Sequence, residues 1–171
     1  ALLDVLKRHA DRYQAVVVCG RNQKAYLQAV RWQHRNPGFG CNITGYTNEI
    51  HLYMQAADFV ITRGGTTTCA EALHFGCPIV FNGFGGVMPQ EKLTVKYFLQ
   101  DNAAEKVTKP ADLEKLLGDW YRSPERFTEL KARFVRMRFR DDPRDTVRLL
   151  VELAREAATG IKRPLLRVVG E

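Results

Sequence analysis

The 171-residue sequence lacks several signatures of nucleotide, metal and membrane proteins, and each absence narrows what the chain can be. There is no GxxxxGK[ST] phosphate loop and no GxGxxG, which removes two common glycine-rich nucleotide motifs. No Asp-x-Asp stands at a strand end, so the paired carboxylates that hold a metal–nucleotide complex are missing and no metal site is expected. Only four cysteines occur (Cys19, Cys41, Cys69, Cys77), with no CxxC pair and no metal spacing to histidine. Three lie in or beside apolar segments and read as small buried hydrophobes in a reducing compartment. The four histidines (His9, His34, His51, His74) each stand without a nearby nucleophile, which argues against His-assisted hydrolysis. No apolar run approaches the ~18 residues needed to span a bilayer, and no signal peptide is visible. The expected location is cytoplasmic, free or peripheral at a membrane. Ala1 falls inside a helical-looking stretch, ALLDVLKRHADRY, without an initiator methionine, which reads as a piece of a longer protein.

What is present describes one globular domain over 1–171. A content of 45% hydrophobic and 26% charged residues suffices for a substantial core. The net charge of +7 favours an anionic partner: a phosphate ligand, nucleic acid or an acidic membrane surface. Nucleic acid is disfavoured, because the basic residues lack an aromatic β platform or a binding motif. The basic run at 133–140 (RFVRMRFR) interleaves apolar residues, giving a packed face and a solvated basic one; contact with anionic lipid stays open.

Short β-branched runs alternate with helical stretches. Ala15–Cys19 (AVVVC), Cys41–Thr44, Asp58–Thr62, Pro78–Phe81 and Ala104–Val107 read as strands. Helices are predicted over Asn22–His34, Glu49–Ala57, Thr67–Phe75 and Pro89–Gln100, the third stopped by Gly76 and the fourth opened by Pro89. After Pro110 only helices follow, over Ala111–Tyr121, Pro124–Met137 and Pro143–Ala158, and then an extended tail. The alternation implies right-handed crossovers and a Rossmann-like parallel α/β sheet at about 15–107, with helices on both faces, followed by a helical part at 110–160.

Polar turns gather where strands hand over to helices, which in a parallel sheet is where ligands bind. In Arg63-Gly64-Gly65-Thr66-Thr67-Thr68 the glycines permit a sharp turn and close backbone approach. The following helix start favours an anion through its free N–H groups and dipole; a plain threonine N-cap is the alternative. Glu71, four residues after Thr67, shares its helix face and can accept hydrogen bonds from vicinal hydroxyls, or serve as a surface glutamate. Gln90 and Glu91 supply donors and acceptors suited to sugar hydroxyls, or simply open a helix. Gly20-Arg21-Asn22 and Gly45-Tyr46-Thr47 end the first two strands, with Arg21 available to a phosphate and Tyr46 to a nucleobase.

These residues carry a resemblance. VVVCGRN (16–22), GYTNEI (45–50), the AADFVITRGGTTTCAEAL run (56–73), FGCPIVFN (75–82) and PQE (89–91) are similar, in order and spacing, to the C-terminal, donor-binding domain of glycosyltransferase family 28. The nearest type is the diacylglycerol sugar transferases. The resemblance implies half of a two-domain GT-B fold, without its N-terminal acceptor domain. It implies that Gly64, Gly65, Thr66, Thr67 and Thr68 hold the diphosphate of a UDP-sugar, that Glu71 binds ribose and that Tyr46 meets uracil. Gln90 and Glu91 would hold the hexose, and Gly20, Arg21, Asn22 and Arg63 would lie near the phosphates or sugar. The implied reaction is inverting and metal-independent, with no cofactor besides the donor, its base coming from the missing half. Its partners are then the UDP-sugar and an N-terminal domain or separate acceptor chain. Rival readings are a non-catalytic UDP-sugar-binding subunit and a UDP-sugar epimerase.

Overall fold

The computed structural model describes residues 1–137 and 143–159. Contacts divide the chain into one unit of residues 1–138 and another of residues 139–171. In the first, five short strands alternate with helices: α1 (Leu2–Lys7), β1 (Ala15–Val18), α2 (Gln23–His34), β2 (Cys41–Thr44), α3 (Ile50–Ala56), β3 (Val60–Thr62), α4 (Thr66–Phe75), β4 (Ile79–Asn82), a 3₁₀ turn (Pro89–Glu91), α5 (Lys92–Leu99), β5 (Glu105–Val107), α6 (Pro110–Arg122) and α7 (Pro124–Met137). Every pairing is parallel. β1 pairs with β2 from Ala15↔Cys41 to Val18↔Thr44, and β4 lies between β3 and β5. The ladder is interrupted: β2-β1 and β3-β4-β5 form two separate sheets.

Alternation along β4 shows how the layers are built. Ile79 and Phe81 pack on one face with Met54 (α3), Ala72 (α4), Phe98 (α5) and Phe134 (α7). Val80 packs on the other with Val5 (α1), Leu113 and Leu117 (α6), against which Trp32 (α2) also rests. Helices therefore cover both faces, as the strand–helix alternation requires. Burying each such side chain contributes about 1.5–3 kcal/mol, against about 0–1 for an exposed ion pair. Packing, not charge, holds the frame.

Local signals fix the helix ends. Asn22 Oδ1 accepts from the Ala25 N–H at 3.0 Å and caps α2. Gly76, at φ 68°, ends α4 in the left-handed conformation and donates back to the Ala72 and Leu73 carbonyls. Several expected elements are shorter than the sequence suggests; β3 begins at Val60 and not at Asp58. The first helix stops at Lys7 and gives way to turns through Arg12. Pro89-Gln90-Glu91 forms a 3₁₀ turn before α5, as a proline with few following backbone bonds permits. Cys69 and Cys77 are buried, Cys19 and Cys41 half-buried, and all four are free thiols. Within the basic run, Phe134 and Met137 are buried and Arg136 is exposed; positions 138–140 lie outside the described residues.

Of the second unit, the described part is α8 (Pro143–Thr159), an amphipathic helix with Val147, Leu150 and Val151 on one exposed stripe. The tail predicted as extended lies outside the described residues. No described helix is long and apolar enough to cross a membrane.

Candidate functional site

The strand ends present the predicted residues in two groups. The first joins the turns after β1 and β2. Gly20 adopts φ 56°, and its carbonyl lies 3.7 Å from where a Cβ on Gly45 would stand. Arg21 places its guanidinium 4.7 Å above the centre of the Tyr46 ring, which is 59% exposed. A flat aromatic platform thus sits under a cation that carries no carboxylate among the described residues. The Asn22 carbonyl oxygen is engaged as the α2 cap.

The second group surrounds the start of α4. Gly64 has φ 116°, and an added Cβ would meet Val95 Cγ2 at 2.8 Å, so both conformation and space require glycine. Gly65 occupies the cap position without a side-chain cap, and the helical ladder begins with Cys69 N–H to Gly65 O at 3.0 Å. The N–H groups of Thr66, Thr67 and Thr68 therefore lack an intrahelical acceptor, an arrangement that favours an anion. The Thr66 hydroxyl lies 3.4 Å from that of Thr94 on α5. Arg63 Nη2 donates to the Gly86 carbonyl at 3.2 Å, tying the glycine-rich segment after β4 to this turn. Glu71 is half-buried one turn further along α4.

Glu91 stands beside this helix start, its Cβ 3.5 Å from where a Cβ on Gly64 would lie. Its Oε2 is buried and has no hydrogen-bond partner, the kind of acceptor that calls for a donor from outside. Burial, and then the Glu91 charge, push the Cys69 thiol up to about 11. Gln90 is exposed and reaches Met88 Sδ at 3.6 Å. Thr94 was not among the expected residues; its spacing of three from Glu91 on one helix face is the signal that points to it.

Elsewhere, His9 is bound to Glu114 at 2.7 Å and serves to clamp α1 on α6. A cavity of about 420 Å³ opens between β5, α6 and α7, lined by Glu105, Asp119, Arg126 and Arg133 among others. Its mixed charge selects neither anion nor cation, and it does not include the strand-end turns. Among the described residues no cluster of three or more His, Cys, Asp or Glu side chains is placed to hold a metal ion.

Parallel strands with helices on both faces, and glycine turns handing each strand to the next helix at this end, define a Rossmann-like α/β domain. Residues 1–141 match the glycosyltransferase family 28 C-terminal domain, and the chain belongs to that family. Over 110 residues it is 31% identical to monogalactosyldiacylglycerol synthase 2, chloroplastic, of Arabidopsis thaliana, covering 63% of this chain and 22% of that protein. It is 29% identical over 146 residues to probable monogalactosyldiacylglycerol synthase 3, chloroplastic, of Oryza sativa subsp. japonica, covering 84% of this chain and 27% of the relative. The chain thus spans about a quarter or less of these relatives. Among solved structures, Anabaena Alr3699/HepE in complex with UDP-glucose superposes with a TM-score of 0.61 at 14% identity, over 80% of this chain and 39% of that one. The likeness confirms the fold, the C-terminal half of the GT-B arrangement.

Proposed function

We propose that this glycosyltransferase domain binds a UDP-hexose and presents its anomeric carbon to a lipid acceptor held by an N-terminal domain or a partner chain. The observation that carries the reading is a pairing: uncapped N–H donors at Thr66–Thr68 stand beside a buried Glu91 oxygen with no partner. A diphosphate needs donors and a sugar needs acceptors, and this turn offers both within one loop's reach. In this reading Glu71 accepts the ribose hydroxyls, Tyr46 lies against uracil, and Gln90 with Glu91 holds the hexose.

Glycosyl transfer breaks the bond between the anomeric carbon and the diphosphate oxygen, and that electron pair leaves with UDP. The α4 terminus, with Arg63 or Arg21, stabilises the charge as it develops, a role that a metal fills in other transferases. One preorganised donor of this kind lowers the barrier by about 3–4 kcal/mol. The acceptor hydroxyl attacks from the opposite side, inverting the centre, and gives its proton to a base. We assign that base to the acceptor-binding half, so donor binding and turnover are separable. An anionic membrane surface fits the net positive charge as the place where a lipid acceptor is met. Calorimetry on the full-length protein tests the reading: Glu71→Ala weakens UDP binding at least tenfold, and unchanged affinity rejects it.

A further inference from the structure

The segment between β4 and the 3₁₀ turn crosses over the carboxyl end of β4. Phe84 rests on the apolar cluster of one face and Val87 on the cluster of the other. Between them Gly85 and Gly86 turn the chain at φ 78° and 93°, and a Cβ on either would meet nothing within 4 Å. The entry to the crossing is fixed. Gly83 N–H donates to the Val107 carbonyl at 2.7 Å, and Phe84 N–H to Asn82 Oδ1 at 3.0 Å. The crest is held by a side chain from the neighbouring strand end: Arg63 Nη2 donates to the Gly86 carbonyl at 3.2 Å.

Beyond the crest lie the residues that the UDP-sugar reading gives to the hexose. The Met88 carbonyl accepts from the Glu91 N–H at 2.9 Å, and the Met88 sulfur from Gln90 Nε2 at 3.6 Å. Gln90 and Glu91 thus both hang from Met88, whose own place is set by the Gly85-Gly86 bend just ahead of it. Two successive glycines with open space around them allow the backbone many paths. A hydrogen bond from a charged donor is stronger than a neutral one and selects among those paths.

The turn that carries Arg63 meets the same region at two further points. A Cβ on Gly64 would lie 3.5 Å from Glu91 Cβ, and the Thr66 hydroxyl lies 3.4 Å from that of Thr94. Arg63, Gly64 and Thr66 therefore key the α4 start to the segment that runs from Gly86 into α5. We infer that Arg63 is a positioning residue for the hexose: by pinning the Gly86 carbonyl it sets the glycine bend, and through Met88 the bend sets Gln90 and Glu91. The charge that develops on UDP is then met by the α4 terminus and Arg21. The inference rests on the UDP-sugar reading, because that reading supplies the hexose contacts on which Arg63 acts.

Calorimetry on the full-length protein tests it, with UDP as one probe and the tighter-binding of UDP-glucose and UDP-galactose as the other. Arg63 and Gly86 are both exposed, so the variants keep the fold, which melting temperature checks. Arg63→Met leaves UDP affinity within about twofold of the parent and weakens the sugar nucleotide about tenfold. Arg63→Lys keeps a charged donor of similar reach and recovers most of that loss. Gly86→Ala strains the bend without touching the guanidinium and gives the same pattern, and the double variant is no worse than either single one. Equal weakening of UDP and the sugar nucleotide by Arg63→Met makes Arg63 a phosphate ligand and overturns the inference, as do unchanged affinities for both or additive losses in the double variant. Each of these leaves the UDP-sugar reading standing. A parent protein that binds neither probe overturns that reading, and the inference with it.

Discussion

Gly64 and Val95 are in such close register that a single carbon added to the glycine would lie 2.8 Å from the valine Cγ2. This contact seats the turn after β3 on α5, so the donors of Thr66–Thr68 and the acceptor of Glu91 are held by the same packing.

Gly64→Ala meets two penalties, the strain of an L-residue at φ 116° and the collision with a core side chain. The expected loss is about 2–4 kcal/mol in urea unfolding. Val95→Ala removes two methyl groups from the core and costs about 1–3 kcal/mol. The double variant is less destabilised than the sum, by at least ~0.5 kcal/mol, because the collision has gone while the strain remains. Strict additivity would show that the contact carries no energy.

The Arg21–Tyr46 stack is exposed, and an exposed cation–π pair is worth only about 0.5–1 kcal/mol. Tyr46→Ala therefore leaves the melting temperature within about 2 °C of the parent, yet lowers UDP affinity about tenfold in calorimetry, as loss of a stacking surface does. Unaltered affinity removes the ring from base recognition.

Glu91→Gln keeps the shape of the side chain and removes the charge from a half-buried carboxylate whose Oε2 is buried without a partner. Stability holds or rises, UDP binding is unchanged, and UDP-hexose loses its advantage over UDP. The same substitution brings the Cys69 thiol down from about 11, although burial, the larger cause, keeps it above its ordinary value. Alkylation rates against pH, read beside calorimetry with UDP and UDP-hexose, separate the electrostatic effect from the sugar contact.

The clamp between α1 and α6 sets an acid limit. Arg8, and then His9, hold the Glu114 carboxyl below its ordinary value. A carboxyl lowered in the folded state adds stability that is present above its unfolded value near 4.5 and is lost as pH falls through the folded value. The pair is exposed, so solvent screening keeps the effect below about 1 kcal/mol. Glu114→Gln accordingly flattens the fall in melting temperature between about pH 5 and 3; an equally steep fall assigns acid sensitivity elsewhere.

The sequence revealed the frame because its local signals agree with one another. Ala15–Cys19 and Pro78–Phe81 read as strands and Gly76 as a helix stop, and the structure has strands at Ala15–Val18 and Ile79–Asn82 and the stop at Gly76; burial holds for β4 but not for β1, where Val16 and Val18 are exposed. The turn residues of the candidate site were legible as types, since glycine and threonine before a helix announce a short strand-to-helix handover. Their depth was not legible. That Glu91 hides an unpartnered oxygen beside Gly64 depends on α5 docking across α4, a long-range contact that no local pattern encodes. The break between β1 and β3 was equally invisible, because a strand run records its burial but not which neighbour it pairs with.

The central claim is that the start of α4 holds the diphosphate. A crystal structure of the full-length protein with UDP tests it most directly. The account predicts β-phosphate oxygens within about 3 Å of the Thr66–Thr68 N–H groups and the Glu71 carboxylate on the ribose hydroxyls. UDP bound away from that helix start would contradict it.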